Sequence, residues 1–81
     1  MISNIKQLWE RMLPETKREA VELLKSEFDL INTAFVRQTW ISSGAIPIDK
    51  QKRVVELFVQ IVKQQELKSL ELTQEVIEPK P

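Results

Sequence analysis

The sequence predicts an all-α fold, a compact bundle of about four helices containing a helix-turn-helix, and three observations carry that prediction. Apolar residues recur at i, i+3, i+4 and i+7 through most of the 81 residues, which is the spacing that lines one face of an α-helix. The breaks in this rhythm fall at residues that start or stop helices, namely Pro14, Asn32, Gly44 and Pro47. No stretch alternates apolar and polar side chains over a useful strand length, and neither a repeat nor a low-complexity tract interrupts the pattern.

The first helix is expected over residues 4–12, where Ile5, Leu8, Trp9 and Met12 form one stripe and Ser3 or Asn4 is placed to cap the start. Pro14 suits the first position of a second helix, because the amide it lacks would be unpaired there in any case. That helix is expected to run to about Phe28, with Ala20, Val21, Leu23, Leu24 and Phe28 inward, and Glu15 in its first turn complements the helix dipole. Asp29 tolerates a left-handed backbone and Asn32 is a strong cap, so a tight turn is expected between them.

A third helix then runs from about Thr33 to Ser43 and stops at Gly44, the only glycine in the chain. Pro47 forces Ala45 and Ile46 into a connection, so the fourth helix begins near Pro47 or Ile48 with Asp49 in its first turn. Val54, Val55, Leu57, Phe58, Val59, Ile61 and Val62 cover more of this helix than one contact face needs. It is either the central core helix or, over residues 54–72, part of a contact with another copy. The boundaries expected are a helical domain over 1–65 and an acidic tail over 66–81, frayed or extending the helix, because the last sixteen residues lose aromatics, gain acids and end in Pro-Lys-Pro.

Composition narrows the function classes. Cysteine and histidine are both absent, which excludes disulfide frameworks, thiol nucleophiles and the usual zinc sites. Tyrosine is absent too and there is no Gly-rich phosphate loop, so neither an enzyme nor a cofactor, metal or small-molecule substrate is expected. Glu15, Glu19, Glu22 and Glu27 alternate with Lys and Arg on a wet helix face, as solubilising residues do. The N-terminal stretch lacks a continuous apolar signal core and no apolar run approaches a membrane span, so a cytoplasmic protein with no membrane partner is expected.

Twelve Lys and Arg balance twelve Asp and Glu, and neutrality speaks against strong nonspecific binding to a polyanion. Their distribution is uneven. Residues 1–31 carry five basic and six acidic side chains, residues 32–65 carry five and two, and residues 66–81 carry two and four. The basic excess therefore surrounds the third helix.

Turning that helix at 100° per residue gathers Phe35, Val36, Thr39 and Trp40 on one side and leaves Ala34, Arg37, Gln38, Ile41 and Ser42 on the other. Trp40 reads as a core anchor, since Val36 precedes it by one turn. The outward set is a mixture that can read a major groove, with Arg against guanine, Gln against adenine, and Ala or Ile against a thymine methyl. The alternative is a plain amphipathic helix whose polar face meets only water. Lys50, Lys52 and Arg53, in the opening turns of the fourth helix, suit phosphate contacts or simple solvation.

The order of helix, turn, helix with Val36 and Trp40, Gly44, then Ile46-Pro47 and a long apolar helix resembles the small repressor-type helix-turn-helix proteins of phages and mobile elements. The resemblance covers about residues 14–62. The steps Val36 to Trp40 and Trp40 to Gly44 are each four residues where that family more often has three. What the resemblance implies is binding of double-stranded DNA through the third helix, usually as a dimer. The site expected on these grounds comprises Thr33, Ala34, Arg37, Gln38, Ile41, Ser42, Lys50, Lys52 and Arg53. The competing expectation is a non-enzymatic helical interaction or assembly module.

Overall fold

The computed structural model describes residues 2–77, with side chains through residue 70. It is an all-α bundle of four helices with no strand among the described residues: α1 (Ile2–Glu10), α2 (Pro14–Glu27), α3 (Thr33–Phe35), which passes directly into a π-helical segment (Val36–Ser42), and α4 (Ile48–Ile77). Helices α1 and α2 both pack on α4, and α3 with its π-helical continuation packs on α2.

The core is built from the expected stripes. Ile5 and Met12 from the first segment, Ala20, Val21 and Leu24 from α2, Val36 and Trp40 from the π-helical segment, and Val54, Leu57, Phe58 and Val62 from α4 are all buried. Ile46 joins them from the link before Pro47. Two aromatic contacts tie the layers together: Trp9 stacks on Phe58 with centroids 6.2 Å apart, and Phe28 meets Trp40 at 5.2 Å.

Each helix boundary has a local cause. Pro14 opens α2 behind an extended Leu13. At its other end Asp29 takes φ 53° and Leu30 N–H donates to the Lys25 carbonyl at 2.9 Å, the six-to-one closure of a Schellman motif. Asn32 then caps α3, its Oδ1 accepting the Phe35 amide at 2.8 Å. Asn32→Ala removes this acceptor, and urea denaturation should register a loss of about 1 kcal/mol.

Beyond Phe35 the helix widens. Ser43 N–H donates to the Gln38 carbonyl at 3.2 Å and Ala45 N–H to the Thr39 carbonyl at 2.9 Å, with Gly44 at φ 70°. This is the α2 closure repeated one residue wider, as i→i+5 bonding requires. A turn with about one extra residue accommodates the four-residue steps from Val36 to Trp40 to Gly44. A Cβ at Gly44 would meet Ile2 Cγ2 at 3.4 Å, so the glycine sits where the link crosses the start of α1.

Ile2 packs against the core, and that contact corrects the expected start of the first helix: Ser3 and Asn4 lie inside α1 instead of capping it. The helix ends at Glu10, and Gln65 of α4 closes the link that follows. Its side-chain amide accepts from Leu13 N–H at 2.8 Å and donates to the Arg11 carbonyl at 3.0 Å. Backbone groups left open between α1 and α2 thereby find partners on α4. Arg11 also pairs with Glu66. Helix α4 continues unbroken past this point to Ile77, and residues 78–81 of the acidic tail lie outside the described residues.

Candidate nucleic-acid interface

The π-helical segment is fixed by its inner side. Val36 and Trp40 are buried, Phe35 and Thr39 half-buried; Phe35, Val36 and Trp40 pack into the core, and the element lies against α2. With that side committed, Ala34, Arg37, Gln38 and Ser42 are left exposed and Thr33 half-buried at the N-terminal end. Ile41 departs from the outward set: it is half-buried and packs against the core, because a wider turn carries it off the 100° wheel.

The backbone carbonyl of Gln38 is engaged twice, by the Ser43 amide at 3.2 Å and by Ser43 Oγ–H at 3.0 Å. Its side-chain amide has no partner among the described residues, so both its donor and its acceptor stay available. Arg37 is exposed but not idle. Its guanidinium lies 5.8 Å from the centre of the Trp9 ring, and Lys17 Nζ lies 5.4 Å from the same centre. Trp9, half-buried on α1 and stacked on Phe58, thus gathers a cation from α2 and one from the π-helical segment. Each such contact contributes about 0.5–1 kcal/mol at exposed sites.

No protein-family model, no curated protein and no solved structure matches this chain.

The three basic residues at the start of α4 have distinct surroundings. Arg53 Nε is 3.3 Å from Glu27 and its Nη1 is 3.5 Å from Glu56, so two carboxylates already share its charge. Lys50 Nζ lies 3.6 Å from Asp49. Lys52 is exposed with no carboxylate partner among the described residues. Among the described residues Arg37 and Lys52 thus have no acid partner, and Lys17, on the polar face of α2, meets Arg37 at the Trp9 ring.

No cluster of three or more acids that could hold a metal ion occurs among the described residues, and no helix there is long and apolar enough to cross a membrane. The exposed side of this element carries the hydrogen-bonding and cationic side chains of Arg37, Gln38 and Ser42.

Proposed function

We propose that this protein is a small cytoplasmic DNA-binding regulator that presents α3 and its π-helical continuation to the major groove. The observation that carries this reading is the exposure of Ala34, Arg37, Gln38 and Ser42 on an element whose other side is locked into the core. Arg37 and Gln38 supply the bidentate groups that read guanine and adenine, and Ala34 fits against a thymine methyl. Thr33, Lys17 and Lys52 hold phosphate, which sets register without reading sequence. Arg53 and Lys50, shared with acids, contribute less.

The test is selection of bound sites from random duplex DNA at low salt, followed by titration of the selected site. Arg37→Ala with Gln38→Ala should weaken it by about tenfold or more while affecting unselected DNA less, since each bidentate contact discriminates by about 1–3 kcal/mol. Lys52→Ala should weaken all sequences alike and make the salt dependence shallower. Absence of any enriched site, or affinity indifferent to the double substitution, overturns the reading.

A second reading, a non-enzymatic helical assembly module, is favoured by the carboxylates around Arg53 and by the exposed Val59, Leu67 and Leu70 of α4. A chain that self-associates and selects no DNA decides for it.

A further inference from the structure

Helix α4 is longer than the bundle it supports. The link between α1 and α2 reaches Gln65 and Glu66 through the Gln65 amide and the Arg11–Glu66 pair. From there the helix continues to Ile77, about 17 Å further at 1.5 Å per residue. Leu67 and Leu70, the large apolar side chains at the start of this extension, are 52% and 58% exposed, and Val59, on the bundle side, is 46% exposed.

Val59, Lys63, Glu66 and Leu70 stand at i, i+4, i+7 and i+11, which places them along one side of α4. The order is apolar, positive, negative, apolar. Read backwards it is apolar, negative, positive, apolar, so the strip is complementary to its own reverse. We propose that two copies of this chain pair antiparallel along α4, with the two-fold axis between residues 64 and 65. Val59 of each copy then faces Leu70 of the other, and Lys63 of each faces Glu66 of the other. Such an interface is isologous, with every contact made twice. The parallel in-register arrangement would instead set Lys63 against Lys63 and Glu66 against Glu66, which like-charge repulsion disfavours.

Two further features fit this register. A groove of about 290 Å³ runs between α1 and α4, lined by Asn4, Gln7, Leu8, Arg11, Val55 and Val59. The antiparallel register lays residues 67–77 of one copy beside residues 52–62 of the other, which is the stretch of α4 that borders the groove. The overlap covers about 38 Å of helix on each copy, long enough for an interface of about 1,000 Å². Glu66 pairs with Arg11 through Oε2, which leaves Oε1 to accept from the second copy's Lys63.

The experiment is sedimentation equilibrium on the full chain and three variants. Leu70→Asp and Lys63→Glu should each weaken self-association by about tenfold or more, and Lys63→Glu combined with Glu66→Lys should restore it. Because the chain contains no cysteine, crosslinking supplies a readout of register that does not depend on affinity. With Val59→Cys and Leu70→Cys in one chain, a short bismaleimide should join position 59 of one copy to position 70 of the other. Val59→Cys alone should give no crosslinked dimer, its two copies standing about 16 Å apart along the paired helices. A wild-type chain that stays monomeric at high micromolar concentration, or a crosslink from Val59→Cys alone, overturns the proposal. A dimer that selects no DNA leaves the seam standing, and a monomer that selects DNA leaves the groove reading standing, so the two fail separately.

Discussion

Phe58→Ala is expected to lower the free energy of unfolding by about 3–5 kcal/mol, the range for deleting a fully buried aromatic ring. Phe58 is 0% exposed and stands on α4 where α1 reaches it through the Trp9 ring, 6.2 Å away. Removing the ring forfeits its transfer from water and leaves a space in the core it shares with Leu24, Val21 and Val54, which partial relaxation does not close. A single domain of this length holds a total stability of about 5–10 kcal/mol at most, so the variant should be largely unfolded at physiological temperature. Val59→Ala, one position along the same helix and half-exposed, should change stability by only about 0.5 kcal/mol. Urea denaturation followed by far-ultraviolet circular dichroism, at one chain concentration for both variants, separates the two. Equal losses at positions 58 and 59 would mean that α4 does not present this face to the core.

Local chemistry made much of the fold readable. Asp29 and Gly44 are the two described positions with positive φ, and both stand out in the sequence as residues that accept such a backbone. Asn32 announces a cap because its short side chain can reach an amide three residues on, and it does. The π-helical segment was hidden for an equally local reason. Val36 and Trp40, four apart, meet one face of an α-helix or of the wider helix equally well, so the pattern of apolar residues does not distinguish i→i+4 from i→i+5 bonding. Ile41 is the residue that tells them apart, and its half-buried position emerges only when the turn has its neighbours. The start of α1 was displaced by a tertiary contact, since Ile2 gains packing and that outweighs the capping preference of Ser3 and Asn4.

The candidate surface was readable where it depends on one helix and hidden where it depends on two. Ala34, Arg37, Gln38 and Ser42 follow from the turn of a single element. The fate of Arg53 does not, because one of its carboxylates, Glu27, lies on another helix and 26 residues away in sequence. Trp9 was similarly concealed: its place in the α1 stripe accounts for the contact with Phe58 and says nothing about the ring also meeting Lys17 and Arg37. A tryptophan is large enough to serve core and surface together.

Trp40→Ala is expected to cost about 3–5 kcal/mol as well, but to spend it in a different place. Trp40 is 3% exposed and its ring lies 5.2 Å from Phe28 at the end of α2, so it bridges the two elements on either side of the turn. Within Val36–Ser42 only Val36 and Trp40 are buried. Truncating the larger of two anchors on a seven-residue segment should release that segment before the α1, α2 and α4 core opens, because short elements held by few apolar contacts unfold locally at lower free energy. Hydrogen exchange should therefore show amides 36–42 losing protection at conditions where those of α4 around Phe58 keep theirs. Trp40→Phe, which preserves a ring against Phe28, should lose less than half as much. The consequence for the candidate interface is direct: Arg37 and Gln38 are carried on this segment, so Trp40→Ala should weaken binding to a selected DNA site at temperatures where circular dichroism still reports a folded bundle. Simultaneous loss of protection across all helices would place Trp40 in the global core, and the element bearing Arg37 and Gln38 would then share the stability of the whole domain.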